Sequence, residues 1–197
     1  MSRKKSGKRA ANTFKTDMGR IREFVADAEE AGLKPLDITW AYEAAVIKVA
    51  VAFEKLMLDC LVTAVNNDTA TISDTTKVAF PPHLNEGVCE YLITQGGYFD
   101  FKGRDGLIGK IKRFVPVEHY LCQAVADKKY TATLNQLVAL RNFAAHGSKQ
   151  SKAAARTATG MKNISSAGAW LKVQGRLEAM IKTLESLATQ IELKAPY

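Results

Sequence analysis

The sequence predicts an all-α fold: a bundle of four to five main helices with an inserted region of loops and short helices. Three observations carry this. Apolar residues recur at three- and four-residue steps through most of the chain, which is the spacing of one helical face. No segment shows a clear strand pattern. The long helical run before residue 66 is separated from the later ones by a polar, then glycine-rich stretch, so an insert of about 67–116 divides one domain, residues 17–197.

The elements follow in order. Residues 17–31 place Ile21, Phe24, Val25 and Ala28 at helical spacing, and Gly32 and Pro35 end the segment. Asp37 is a good N-cap for a long helix reaching about Val65, with a stripe of Ile47, Val51, Leu58, Leu61 and Val65. The polar residues 66–80 read as a loop. Pro81 and Pro82 suit the entry to a short helix, HLNEGVCEYLI. Residues 95–116 interleave glycine, basic and aromatic residues and predict an ordered loop with a short helix near 107–114. Helices follow at 117–127, 131–146 and 149–158, the last closed by Gly160. A final helix over 167–192 carries Trp170, Val173, Leu177, Met180, Leu184, Leu187 and Ile191, a 3–4 seam suited to a bundle or a dimer.

Composition bounds the function. The 197 residues are 47% hydrophobic and 24% charged, ordinary for a globular domain. Five of the net eight positive charges fall in residues 1–9, so residues 1–16 read as a basic disordered tail, either solvated or in contact with phosphates. Cys60, Cys89 and Cys122 are odd in number and lack C-x-x-C spacing, as expected of reduced thiols in a cytoplasmic protein. The longest apolar run is broken by Glu43, Lys48 and Glu54, which argues against a membrane span, and the basic N-terminus lacks the apolar core of a signal peptide. The stretch GRDGLIGK is not a phosphate loop, because Arg104 stands where a glycine is required and Ile111 where Ser or Thr is. His83, His119 and His146 lack metal-ligand spacing, and no G-x-S-x-G elbow is present.

The chemistry concentrates in LRNFAAHGS, residues 140–148. On a helix of about 100° per residue, Arg141 falls in the middle of the stripe formed by Leu134, Leu137, Val138 and Ala145. A buried guanidinium is costly unless something meets it: a carboxylate, a second subunit or a substrate anion. Asn142 and His146 are four residues apart and share a neighbouring face with Asn135. His146 either caps the helix end beside Gly147 or moves a proton near neutrality. Arginine can grip two phosphate oxygens and neutralise charge as it builds. Glu54 interrupts the apolar stripe of the long helix and is assigned a structural role, pairing with Arg141 or a tyrosine across the bundle. Lys102, Arg104, Lys110, Lys112 and Arg113 surround Phe99 and Phe101. Such a loop either holds single-stranded RNA or is solvated with its aromatics packed inward.

RNFAAH resembles the R-N-x-x-x-H form of the motif of the HEPN superfamily. AVIKVAVAFEKLMLDCLV is similar to that family's acid-bearing opening helix, and LNQLVALRNFAAHGS to its motif helix. YFDFKGRDGLIGKIKRFVP resembles the matching insert of the RiboL-PSP-HEPN subgroup. The resemblance covers roughly residues 37–192. It implies a HEPN-like bundle and a metal-independent endoribonuclease with no cofactor. It also implies catalytic residues Arg141, Asn142 and His146. The RNA contacts expected at Lys102, Arg104, Lys110 and Arg113 come instead from the interleaving of basic and aromatic residues in the loop. The reaction implied is attack by the ribose 2′-hydroxyl, leaving a 2′,3′-cyclic phosphate and a 5′-hydroxyl. His146 would assist proton transfer, Arg141 would stabilise the phosphorane, and Asn142 would orient one or the other. The implied partners are RNA, a second copy of the chain in a homodimer, and an antitoxin or defence-system protein. A noncatalytic RNA-binding module and an assembly domain using the 170–191 seam are the alternatives.

Overall fold

The computed structural model describes residues 6–196, and these form an all-α structure without strands. In chain order the helices are α1 (Gly7–Glu30), α2 (Pro35–Asn67), α3 (Ala70–Thr76), α4 (Glu86–Thr94), α5 (Gly103–Ile111), α6 (Tyr120–Ala126), α7 (Thr131–His146), α8 (Lys149–Thr159), α9 (Ala167–Leu171) and α10 (Arg176–Lys194). A 3-10 turn, Lys128–Tyr130, leads into α7. Among the described residues no helix is long and apolar enough to cross a membrane.

The 33-residue α2 is the central element and packs against α1, α4, α7 and α9. It starts at Pro35, which supplies a preset first-turn φ, so Asp37 lies in the first turn rather than at the cap. Its buried face is Val46, Val49, Phe53, Met57, Cys60 and Leu61. This corrects the stripe expected from sequence. Leu61 and Val65 are buried, but Ile47 and Leu58 are only half-buried and Val51 is 55% exposed. A helix that is apolar on most sides offers several acceptable stripes, and the neighbours decide which one is covered.

The expected disordered tail is also corrected for the residues that are described; residues 1–5 lie outside them. Ser6 caps α1 by accepting from the Arg9 backbone N–H. Ala10, Ala11, Phe14 and Met18 continue the buried face that Ile21 and Val25 predict, and Phe14 meets Phe53 edge-on at 6.1 Å. Burial of this face stabilises a turn that charge alone would leave in solvent. Phe24, expected on the inner face, is exposed. Arg22 ties α1 to α10, donating to both Glu178 and Glu185 at 2.7 Å.

The expected 167–192 helix is two helices. Gln174 and Gly175 take left-handed backbone, φ 57° and 64°, and separate α9 from α10. Leu177, Met180, Leu184, Leu187 and Ile191 are all buried within the chain, and α10 packs on α1. From Leu177 on, the seam therefore closes the bundle, while Trp170 is half-buried and Val173 exposed. The polar stretch expected as a loop contains α3, and the insert is fastened to α2 by Phe101, whose ring meets Phe53 at 5.7 Å.

Gly168 shows how tightly α9 sits on α2. A Cβ there would collide with the Thr39 carbonyl oxygen and lie 2.9 Å from Glu43 Cγ. Gly168→Ala is expected to destabilise the protein by at least about 2 kcal/mol, read as a lowered urea midpoint. An unchanged midpoint would show that α9 can lift from α2 freely.

Candidate functional site

α7 matches the helix expected at 131–146, and Gly147 ends it in left-handed backbone with its N–H donating to the Phe143 carbonyl. Leu134, Leu137 and Leu140 hold the helix in the core, which leaves Arg141 and Asn142 half-buried at its edge. Arg141 is met by the acid on α2: its Nη2 donates to Glu54 Oε1 at 2.7 Å. Phe53 and Glu54 divide the work at adjacent positions, the ring entering the core and the carboxylate turning outward. Among the described residues Glu54 is the one hydrogen-bond partner of Arg141, so most of the guanidinium fork is unused.

Two open clefts meet at Arg141. The first, about 700 Å³, lies between α2 and the insert, with Val51, Glu54, Lys55, Tyr98 and Asp100 among its lining residues. The second, about 870 Å³, lies between α7, α8 and the start of α5, and takes in Lys102, Asn135, Asn142 and Gln150. The insert contributes to both. Phe99 and Phe101 pack inward, while Tyr98 stands 95% exposed at the mouth of the first cleft. Neither Tyr98 nor Gln150 was marked by the sequence reading; a lone tyrosine and a lone glutamine carry no spacing signal.

The structure separates the other expected site residues. His146 is exposed at the end of α7 and lines neither cleft. Five residues from Arg141, it projects about 140° away around the helix axis. Arg104 is a strut: its Nε donates to the Val125 carbonyl at 3.2 Å, its Nη2 to the Ala126 carbonyl, and its backbone N–H to Asn135 Oδ1 at 2.9 Å. Lys110 donates to the Asp100 carbonyl at 2.6 Å and sits 4.5 Å over the Phe99 ring. Lys102 and Arg113 are both on the surface, but Lys102 belongs to the second cleft and Arg113 to a separate hollow beside Tyr91. Only Lys102 of these four joins Arg141. Among the described residues no three metal-binding side chains converge.

Burial holds the Glu54 carboxyl above its usual range and outweighs the attraction of Arg141; Asp100 adds to the rise and Lys110 opposes it. A carboxyl raised in the fold contributes stability that is full below its unfolded pKa and is lost as pH rises through the folded one. Wild type is therefore expected to lose stability relative to Glu54→Gln as pH climbs from the ordinary carboxylate range through the raised value. Paired denaturation curves across that window check this. A difference that moves in wild type's favour with rising pH would show that the ion pair, not burial, dominates. The chain matches no family model, no curated protein and no solved structure.

Proposed function

We propose that this protein is a metal-independent endoribonuclease of the HEPN type, acting as a homodimer. The observation that supports it most is Arg141: a half-buried guanidinium held by a single carboxylate where two clefts meet, with donors left for a phosphate. The ribose 2′-hydroxyl attacks the adjacent phosphorus, its proton passes to a base, and the 5′-oxygen leaves as a hydroxyl after taking up a proton. Arg141 binds the non-bridging oxygens as charge accumulates, and His146 handles the proton. By the same resemblance the role is that of a toxin or an anti-phage effector, controlled by an antitoxin or a defence-system partner.

The divergence of Arg141 and His146 on one helix is the reason for the dimer. A second copy supplies a second pair and lets a histidine approach the phosphate from another direction. α2 offers a surface for this: Trp40 (58% exposed), Ile47 and Val51 fall on one stripe that runs into the first cleft through Glu54 and Leu58. A twofold pairing along that stripe covers apolar area that the single chain leaves in water. Incubation with total RNA in EDTA, followed by end-group analysis, tests the reaction. Light scattering is expected to give twice the 21.6 kDa chain mass, and Val51→Lys is expected to give the monomer with little cleavage. A fully active monomer would rule out the composite site. The exposed placement of His146 favours one other reading, an RNA-binding module without catalysis, and intact RNA after incubation would select it.

A further inference from the structure

The second cleft is built unevenly. Its charged groups, Asp100, Lys102 and Arg141, are confined to the part formed by the insert and the edge of α7. Elsewhere it is lined by small apolar side chains and uncharged polar ones. Ala139, Ala154 and Ala158 keep the facing surfaces of α7 and α8 thin, which leaves the space between them open. Asn142 and Gln150 face this space from opposite helices. Among the described residues neither amide has a hydrogen-bond partner. Asn135 is already engaged through Oδ1, which accepts from the Arg104 backbone N–H, and the Thr157 hydroxyl donates to the Ala153 carbonyl.

An anion-binding end joined to a neutral, hydrogen-bonding, partly apolar cavity matches the chemistry of one nucleotide. The cavity volume of about 870 Å³ falls in the range of small-ligand sites. We propose that this cleft receives one unpaired nucleotide of the RNA strand, its phosphate on Arg141 and Lys102 and its base between α7 and α8, where Asn142 and Gln150 read the base edge. This deepens the ribonuclease reading and rests on it for the identity of the ligand as RNA. The first cleft suits a base less well, because Glu54, Lys55 and Asp100 crowd it with charge. A carboxamide presents a donor beside an acceptor; every unpaired base offers such a pair on its Watson–Crick edge, but adenine alone repeats it on its Hoogsteen edge, N6 with N7, so that two amides can hold it at once. Adenine is accordingly the base expected to bind most tightly.

The test uses the full chain and four single-stranded hexanucleotides, of A, C, G or U, 2′-O-methylated so that they bind without being cleaved. AMP serves as the free-nucleotide arm. Wild type is expected to bind the A hexamer most tightly and AMP far more weakly, because the strand adds phosphate contacts. Ala154→Trp, at an exposed position of α8, fills the cleft and is expected to weaken the A hexamer at least about tenfold, with an unchanged melting temperature. Ala154→Ser is expected to bind as wild type does. Gln150→Ala is expected to reduce the preference for A over the other bases about tenfold, while Arg141→Ala weakens all four hexamers alike. Ala154→Trp binding like wild type, uniform affinity for the four bases, or AMP binding as tightly as the hexamer would each overturn the proposal. Cleavage of total RNA is scored separately. Cleavage unaffected by Ala154→Trp sinks the base site alone, and binding through the cleft without cleavage sinks the ribonuclease reading alone.

Discussion

Replacing Arg141 with alanine is expected to lower the rate of RNA cleavage at least about 100-fold, because one preorganised cation facing a developing oxyanion contributes a few kcal/mol to the transition state. The fold is expected to survive. Removing the guanidinium leaves Glu54 half-buried without its partner, and burial already favours its protonated form, so the site is relieved by taking up a proton. Arg141→Lys separates two contributions. A point charge keeps part of the phosphate affinity but cannot grip two oxygens in a plane, so KM is expected to recover more than kcat. His146→Ala is expected to lose activity on a similar scale with no loss of stability, since the side chain is exposed and caps nothing in the core. Equal cleavage by wild type and both folded variants would sink the assignment.

Phe53→Ala is expected to have the largest effect on stability. The ring is fully buried at the middle of α2 and meets two others edge-on, Phe14 from α1 and Phe101 from the insert. Its removal leaves a cavity where three parts of the chain join, a change that costs about 3–5 kcal/mol and lowers the melting temperature by roughly 10 °C in a chain of this size. Because Glu54 is the next residue, the variant is also expected to loosen the first cleft and weaken RNA binding. Val51→Ala, on the face of the same helix that the single chain leaves exposed, is expected to stay within about 0.5 kcal/mol of wild type when both are unfolded at a concentration that keeps the chain monomeric. Similar losses for the two variants would show that the stripe named from sequence, rather than the one seen in the structure, faces the core.

The helix carrying the motif was legible because its signals are local. Leucines at 134, 137 and 140 repeat at three-residue steps, and Gly147 supplies the left-handed residue that ends a helix. The demand of Arg141 for a partner was legible for the same kind of reason, since a cation in an apolar stripe needs a counter-charge wherever it sits. Glu54 answered it from 87 residues away. The break at Gln174 and Gly175 was not legible, because the apolar spacing runs straight across it and a single glycine is tolerated within a helix. The roles of Arg104 and Lys110 were hidden too. In sequence they are two more cations in a basic loop, and only folding brings the Val125, Ala126 and Asp100 carbonyls to them.

Helical periodicity and the lack of a clear strand pattern sufficed, by themselves, to determine an all-α chain with RNFAAH on a late helix, α7. These are properties of neighbours in sequence, and each is written within one or two turns. Which side of α2 faces inward, whether the 177–191 seam closes the bundle or waits for a partner, and whether His146 shares a cleft with Arg141 were decided only by the tertiary structure. Each depends on what the rest of the chain places opposite. An apolar stripe records that something must cover it without recording what does. The angle of about 140° between Arg141 and His146 follows from their spacing on one helix, but which of the two directions opens onto a cleft does not.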